Sequence, residues 1–366
     1  MKKILFMGGL QSGGAEHQMV VVASALAKRG CDVSYLCADD ADFFKPVLEE
    51  AKVKIIQIKE NRLTSFLKLN IPRLSFCVYR ILKKGQFDTV VSFLGLWNYE
   101  NCRFAKCRKT KHKAITGLRN NRDSVWLSKQ NITYTKYEKY ADVKVCNSDN
   151  AKNKFSEYFP EHKDKLITIY NAVALPSINS SYNVRNGERV NIIIPASYRD
   201  VKNPFGLLNA LNLLDEYSKS RIHITWYGNI NGGRAVYDQM VEQIEAKHLG
   251  DIIELKDATS DIANRINEND MVGLFSKSEG LPNAICEGML LGKSVIMSRV
   301  SDFDVLVDAS NGILCDWDNP ESIVDALRNV AKLSDEELVE MGNHSKRKAE
   351  KLFTEDCIIK QWEEII

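Results

Sequence analysis

The feature that most constrains the fold is an alternation of short β-rich runs with helical patterns along almost the whole sequence. A β-rich run at 2–8, a glycine-containing loop, a helical pattern over 15–29 and a second β-rich run at 31–38 make one β-α-β unit. Such units build parallel sheets covered by helices. Further β-rich runs follow at 88–95, 113–118, 143–148 and 166–173. The first part of the chain is therefore predicted to form one α/β domain with a doubly wound sheet.

A polar, turn-rich stretch at 174–190 interrupts this pattern and predicts a linker. The alternation restarts with β-rich runs at 190–196, 221–228, 252–255, 270–276, 293–298 and 311–315. We therefore predict two Rossmann-like domains, over 1–173 and 191–353. The last segment, 354–366, has apolar residues at helical spacing. It either closes the second domain or returns to pack on the first.

Cysteine usage and hydropathy point to a reduced compartment. The nine cysteines are irregularly spaced and lack the Cys-x2-Cys pattern of zinc sites, which favours a cytoplasmic protein. No apolar run approaches the roughly 20 residues of a membrane span. The apolar run at the N-terminus is too short for a signal peptide and is predicted to be a strand.

Charge is distributed unevenly. Residues 1–175 hold 30 Lys and Arg against 17 Asp and Glu, a net +13, whereas the remainder holds 20 against 31, a net −11. Within the first half, 51–128 has 17 basic and 4 acidic residues. This asymmetry indicates an anionic partner, either a nucleic acid, an anionic membrane surface or a phosphorylated acceptor. A solvated basic face is the alternative.

The glycine loop at 8–16 is the first candidate for ligand binding, because helix N-termini at the carboxyl ends of parallel strands bind anions. Gly13 and Gly14 open the first helix and allow a bulky anion to approach the backbone amides. The loop matches neither the G-x-G-x-x-G fingerprint nor the P-loop. A tight turn without a ligand fits it equally well.

Two cations follow the first strand of the second predicted domain. Arg199 and Lys202 lie beside the start of the next helical pattern. A guanidinium fork and a point charge next to a helix N-terminus suit a diphosphate. A solvated basic turn is the alternative.

The stretch 277–298 places one carboxylate in a turn and another in the helix that follows. Pro282 suits the first helical position and leaves the amides of Gly280 and Leu281 free for an oxyanion. Glu279 precedes them, and Glu287 follows in the helix. A carboxylate commonly accepts two hydrogen bonds from a ribose diol. Alternatively, Glu279 serves the helix dipole and Glu287 lies on the surface.

Taken in order along the chain, these stretches resemble the family-4 retaining glycosyltransferases. The resemblance covers nearly the whole chain and rests on "GGAE" (13–16), "VCNS" (145–148), "YNAV" (170–173), the Arg199/Lys202 pair, "WYGN" (226–229) and the two glutamates of an E-x7-E motif. It implies the GT-B fold, two facing Rossmann-like domains with an interdomain cleft. It also implies that the last helix, 354–366, packs back on the first domain.

The resemblance implies roles for individual residues. Glu287 would bind the nucleotide ribose and Glu279 the donor sugar, while Arg199 and Lys202 would stabilise the leaving diphosphate. The Gly13–Gly14 loop would face that diphosphate across the cleft. Donor contacts are further expected from four residues in the matching motifs, Gly228, Asn229, Gly280 and Leu281.

The sequence departs from the family pattern after the strand at 88–95. Many members carry a histidine there, near the donor sugar, and this chain has none. Asn98 or a backbone group is the expected substitute. Arg119 is expected either to face the acceptor or to be a structural surface residue.

We therefore predict a retaining transferase that moves a hexose or N-acetylhexosamine from a UDP-sugar to a lipid-linked glycan acceptor in surface polysaccharide biosynthesis, such as capsule or lipopolysaccharide. No metal cofactor is expected, since the two cations replace it and the three D-x-D matches are attributed to chance. The basic region predicts peripheral attachment to the inner face of the plasma membrane, and no nucleic-acid partner is expected. A nucleotide-sugar epimerase of the same fold and a non-catalytic partner subunit are the alternatives. A third alternative, a nucleic-acid-binding module, rests on the basic half alone.

Overall fold

A computed structural model describes residues 2–11, 13–38, 42–58, 70–119, 126–173 and 189–366. The chain divides into two compact units, Met1–Ala172 with Glu355–Ile366, and Val173–Thr354. Residues 174–188 of the predicted linker lie outside the described residues. The predicted last residue of the linker, Val190, already belongs to the first strand of the second unit. In the part of the chain that the structure describes, no helix combines the length and apolarity that crossing a membrane requires.

The first unit contains a seven-stranded parallel sheet in the order β3-β2-β1-β4-β5-β6-β7. Its strands are β1 (Lys3–Met7), β2 (Asp32–Cys37), β3 (Lys54–Gln57), β4 (Thr89–Phe93), β5 (Lys113–Leu118), β6 (Val143–Cys146) and β7 (Leu166–Thr168). Its helices before the linker are α1 (Gly14–Lys28), α2 (Lys45–Glu50), α3 (Asn70–Gly85), α4 (Gly95–Ala105), α5 (Lys129–Glu138) and α6 (Asp149–Tyr158). The edge strand β3 was not predicted, because it is short and has no fully buried residue.

The second unit contains a six-stranded parallel sheet in the order β10-β9-β8-β11-β12-β13. Its strands are β8 (Val190–Pro195), β9 (Ile222–Gly228), β10 (Ile253–Asp257), β11 (Met271–Leu274), β12 (Ser294–Ser298) and β13 (Gly312–Cys315). Its helices are α7 (Pro204–Leu213), α8 (Glu216–Arg221), α9 (Arg234–Ala246), α10 (Ile262–Asn267), α11 (Asn283–Leu290), α12 (Phe303–Leu306), α13 (Pro320–Lys332) and α14 (Asp335–Leu352).

The last helix, α15 (Glu355–Ile365), lies in the first unit. Ile358, Ile359 and Trp362 join the core formed by α1 and the adjoining face of the first sheet. Arg29, at the end of α1, contacts Asp356 at 2.6 Å and Glu363 at 2.9 Å. The segment 354–366 was predicted either to close the second domain or to pack on the first. In the structure its helix packs on the first unit.

Both sheets have a topological switch point, where the chain turns from one side of the sheet to the other. In the first sheet it lies between β1 and β4, and in the second between β8 and β11. Open α/β sheets bind ligands beyond the carboxyl ends of the strands at such points. The turns that follow these four strands are therefore the expected positions of ligand-binding residues.

Candidate functional site

The turn after β8 carries the two predicted cations. Residues 200–202 form one turn of 3-10 helix, and Lys202 N–H donates to Arg199 O at 2.9 Å. Asn203 then adopts a left-handed conformation with φ 56°, and Pro204 opens α7. This tight turn brings Lys202 to the N-terminus of a helix, where the backbone N–H groups and the helix dipole favour an anion.

Lys202 and Glu279 form a close ion pair, although 77 residues separate them. Lys202 Nζ lies 2.5 Å from Glu279 Oε1, and Ser276 Oγ donates to the same oxygen at 2.6 Å. The two charged side chains are 21% and 13% exposed. Because β8 and β11 are neighbours in the sheet, the turns that follow them meet at one edge. Both charged residues were predicted from the sequence. Ser276 was not, because no motif around it distinguishes it from other serines.

A second contact joins these two turns. Lys277 N–H donates to Val201 O at 2.8 Å, and Lys277 Nζ lies 2.7 Å from Asp200 Oδ2. Backbone and side chain together therefore hold the segment that contains Glu279 against the turn that contains Lys202. Neither Lys277 nor Asp200 was predicted.

Arg199 is exposed at the same edge. Its guanidinium Nη2 would lie 3.8 Å from a Cβ built on Gly232. No carboxylate pairs with it among the described residues, whereas Lys202 is neutralised by Glu279. Of the two cations, Arg199 is therefore the one without a counter-charge among the described residues, and its charge is available to a ligand.

The segment before α11 has the backbone that a phosphate site needs. Within the described parts of the chain, the N–H groups of Gly280 and Leu281 have no hydrogen-bond acceptor. Ser301 Oγ donates to Gly280 O at 2.5 Å and fixes this peptide. Pro282 is the N-cap of α11 rather than its first helical residue, so the prediction for Pro282 was wrong by one position. Its carbonyl accepts from the amides three and four residues later, which starts the helix.

Glu287 lies half-buried in α11. Burial raises the pKa of its carboxyl group to about 7. No cation or hydrogen-bond donor contacts this carboxylate among the residues that the structure describes. A carboxylate withdrawn from water without a protein partner is an acceptor prepared for ligand hydroxyls.

Gly228 and Asn229, at the end of β9, have clear packing roles. A Cβ on Gly228 would lie 2.5 Å from Ala196 O and 2.8 Å from the ring of Tyr198. The Asn229 side-chain oxygen accepts from Asn231 N–H at 2.6 Å. These contacts account for the glycine and for a local turn at the edge that carries Arg199.

Gly13 and Gly14 lie in the first unit. Gly13 is the N-cap of α1, with extended backbone, and Gly14 is exposed. A Cβ on Gly13 would lie 3.0 Å from Cδ of Glu16. The Glu16 carboxylate therefore folds toward the N-terminus of its own helix, an interaction that sequence analysis did not predict.

Asn98 and Arg119 belong to the first unit and differ in availability. Asn98 is 3% exposed, accepts from Ser92 Oγ at 3.0 Å and donates to Gly117 O at 3.2 Å. Its polar atoms are thus already used within the core. Arg119 has one neutral partner, since its Nη1 donates to Asn171 Oδ1 at 3.2 Å.

The predicted residues thus form two groups. Within the second unit, the structure brings Arg199, Lys202, Glu279, Gly280 and Leu281 to the carboxyl edge at the switch point, with Glu287 in the helix that follows. Gly13, Gly14, Asn98 and Arg119 lie in the first unit.

Two protein-family models match consecutive parts of the chain. Residues 12–175 match the model described as Glycosyltransferase Family 4, and residues 178–348 match the model described as Glycosyl transferases group 1. Together they cover both units, and each family consists of sugar-transferring enzymes.

Similar proteins are found among curated sequences and solved structures. An uncharacterized glycosyltransferase of Haemophilus influenzae is 23% identical over the full length of both chains. Another, of Methanocaldococcus jannaschii, is 24% identical over 63% of this chain, which spans 62% of that relative. The crystal structure of Anabaena Alr3699/HepE in complex with UDP and glucose matches with a TM-score of 0.80 and 16% identity, covering 100% of this chain and 99% of that one.

The lipopolysaccharide outer core galactosyltransferase WaaB matches with a TM-score of 0.75 and 16% identity, over 99% of this chain and 98% of that one. At such identities the two structural matches concern the fold.

Proposed function

The chain is a glycosyltransferase with the GT-B fold, and on this premise we propose that it transfers a hexose or N-acetylhexosamine from a UDP-sugar to a glycan acceptor with retention of anomeric configuration. The observation that carries the proposal is the Lys202–Glu279 ion pair at the switch point of the second sheet, 2.5 Å between Nζ and Oε1. It joins a cation suited to a diphosphate to a carboxylate suited to sugar hydroxyls.

In the proposed reaction, the bond between the anomeric carbon and the diphosphate oxygen breaks while the acceptor oxygen bonds to the same carbon. Arg199 and Lys202 stabilise the departing diphosphate, with the N–H groups of Gly280 and Leu281 as additional donors. Preorganised donors of this kind usually supply the largest electrostatic contribution to catalysis. The charges of the two basic side chains supply what a metal ion would supply, so the proposed reaction uses no metal.

Retention is proposed to follow from attack on the face that the diphosphate leaves. The acceptor hydroxyl gives its proton to a departing phosphate oxygen, so no protein base is required. Glu279 is assigned to the donor sugar and not to nucleophilic attack, because Lys202 and Ser276 hold its Oε1. Its Oε2 is assigned to accept from a sugar hydroxyl.

The proposed donor is a UDP-sugar, with Glu287 binding the two ribose hydroxyls. The half-buried, unpartnered carboxylate supports this role, and the Anabaena protein with the same fold has been solved with UDP-glucose.

We expect a single UDP-sugar to raise the melting temperature when UDP-, GDP-, ADP- and TDP-sugars are compared by thermal shift. A ligand at a hundredfold excess over Kd stabilises by about 2.7 kcal/mol. Glu287→Ala should abolish the shift, whereas Glu242→Ala, an exposed glutamate in α9, should retain it. Absence of a shift with every nucleotide would contradict the proposed donor site.

The acceptor is proposed to be a lipid-linked glycan at the inner face of the plasma membrane, as in surface polysaccharide synthesis. A groove of about 690 Å3 at the amino ends of β4 and β5 supports membrane attachment. Five cations line it, namely Lys106, Arg108, Lys109, Lys111 and Lys113. Lys106 Nζ pairs with Asp142 at 2.7 Å, whereas the other four have no ion-pair partner among the described residues.

We expect co-sedimentation with vesicles that contain anionic lipid, decreasing with salt, and little with neutral vesicles. Each basic residue near an anionic surface contributes about 1 kcal/mol, so Arg108→Glu with Lys109→Glu should weaken binding at least about tenfold. Lys332→Glu with Arg347→Glu, two exposed cations of the second unit, is the matched control. Equal binding to anionic and neutral vesicles would rule out attachment of the basic groove to anionic lipid.

A further inference from the structure

A second cavity in the first unit lies at the carboxyl ends of β4 and β5, the opposite edge of the sheet from the basic groove. Its volume is about 180 Å3. The lining includes six residues that matter for its chemistry, Asn98, Arg119, Trp126, Glu138, Lys144 and Phe155. Ligand pockets for drug-sized molecules are typically about 300–1,000 Å3, so this cavity suits a single sugar substituent or ring.

Among the described residues, the cavity carries one uncompensated positive charge. Lys144 and Glu138 are 2% and 4% exposed and contact each other as an ion pair, so their charges cancel. Arg119 has no such partner in the part of the chain that the structure describes. Its guanidinium lies 3.8 Å from the ring centre of Phe93 and donates to the neutral amide of Asn171. No carboxylate contacts Arg119 among the described residues, and burial lowers its pKa to about 9. The guanidinium therefore stays charged at neutral pH.

Two donors at this cavity also lack acceptors. Arg119 Nε and Trp126 Nε1 are buried and have no hydrogen-bond partner in the described parts of the chain. Trp126 itself is 4% exposed and packs edge-on against Phe155. Folded proteins leave few buried polar groups unpaired, and buried charges are normally paired. A half-buried cation and two buried N–H donors without acceptors among the described residues lie at one cavity, and an oxyanion would match them.

We propose that this cavity binds the carboxylate or phosphate group of an anionic sugar unit in the acceptor. Arg119 presents a planar fork that suits either oxyanion, and the Trp126 indole adds a third N–H donor. The proposal rests on the proposed transferase function only in naming the ligand an acceptor unit. Binding of the anionic sugar itself requires neither the donor nor turnover.

The test is calorimetric titration of the full chain, without nucleotide and at constant ionic strength, with four probes. They are D-glucuronate, D-glucose 6-phosphate, D-glucose and inorganic phosphate. We expect binding of glucuronate or glucose 6-phosphate at least tenfold tighter than binding of glucose. The indole N–H resonance of Trp126, assigned with Trp126→Phe, should shift on binding.

The titrations with glucose 6-phosphate and with inorganic phosphate distinguish a site for a sugar phosphate from a site for any phosphate. Glucose 6-phosphate binding more tightly than inorganic phosphate supports a sugar site. Equal affinity of the two, with no binding of glucuronate, overturns the proposal, because any phosphate would then occupy the cavity. Equal affinity for glucose and both anionic sugars overturns it as well.

Arg119→Gln should weaken binding of the anionic sugar at least tenfold. Arg119→Lys keeps the charge but loses the planar fork of N–H donors, so its affinity should be intermediate. Arg347→Gln, at an exposed position of α14 in the second unit, makes the same change of net charge and should have no effect. If Arg119→Gln does not fold, Trp126→Phe keeps an aromatic ring and removes one donor, and should weaken binding several-fold. An equal loss in Arg347→Gln overturns the assignment to this cavity.

This inference and the proposed function fail separately. A UDP-sugar thermal shift without anionic-sugar binding overturns the acceptor-unit proposal alone. Anionic-sugar binding with no response to any nucleotide overturns the proposed donor site alone.

Discussion

Lys202→Ala is expected to lower kcat by about 10²- to 10³-fold, with a much smaller change in the KM for the donor. The reason is that charge on the diphosphate oxygen increases as the bond to the sugar breaks, and Lys202 lies at a helix N-terminus where that charge is stabilised. The same substitution leaves the Glu279 carboxylate with Ser276 as its hydrogen-bond partner. Glu279→Ala should likewise act mainly on kcat.

Lys277→Ala is the matched control for this prediction. Lys277 lies in the same segment as Glu279 but pairs with Asp200, at 2.7 Å and nearer to solvent. Its loss should change kcat by less than about tenfold, since exposed ion pairs contribute only about 0–1 kcal/mol. The kcat and KM values of the Lys202→Ala and Lys277→Ala enzymes are compared by steady-state kinetics. The donor is the UDP-sugar that the thermal-shift experiment identifies. A Lys202→Ala enzyme with normal kcat and raised KM would show that Lys202 binds ground state and transition state alike.

Glu287→Gln is expected to stabilise the protein above neutral pH while weakening donor binding. Burial raises the pKa of Glu287 to about 7 from the ordinary value near 4.5. The folded state therefore holds this proton more tightly than the unfolded state. Stability falls as pH rises from about 4.5 through about 7, where the carboxylate ionises without a partner. Glutamine has no proton to lose and escapes this cost.

The expected gain at pH 8 is about 3 kcal/mol, because the pKa of Glu287 rises from 4.5 to about 7 and each pKa unit corresponds to about 1.4 kcal/mol. At pH 4 both proteins are neutral at this position and should unfold alike. Donor affinity at pH 8 should fall about tenfold or more, since the amide cannot supply a charged acceptor to the ribose. This would be a trade of function against stability.

Unfolding by calorimetry at pH 4 and pH 8, with donor titrations at pH 8, tests both effects. Glu242→Gln, at the exposed position in α9, should be neutral at both pH values. A stability change of the same size at pH 4 and pH 8 would show that the ionisation of Glu287 is not its source.

Much of the architecture follows from local sequence. Strands buried on both faces of a parallel sheet are almost continuously apolar, which is why β4 or β12 is predictable from a few residues. Gly292, with φ 73°, directly follows the C-cap of α11, and its backbone conformation is one that residues other than glycine rarely adopt. The half-exposed edge strand β3 lacks this apolar signal, and it was missed.

Individual charges were also predictable, but their partners were not. Lys202 and Glu279 are each conspicuous beside the start of a helix, yet nothing in either segment specifies that they touch. A ligand contact was predicted for Asn98 from the sequence, but its hydrogen bonds with Ser92 and Gly117 inside the core were not. Arg119 was left between two roles until its cavity and unpaired donors were visible.

The sequence by itself determined two doubly wound units, the turns that carry the cations and carboxylates, and the excess of positive charge in the first half. These are properties of hydrophobic period, turn residues and composition, which act over a few neighbouring positions. Tertiary structure alone decided that β8 lies beside β11, that Lys202 contacts Glu279, and that Glu287 and Arg119 are half-buried. Burial and pairing depend on strand order, which brings distant residues together and sets the local dielectric that makes a charge costly or useful.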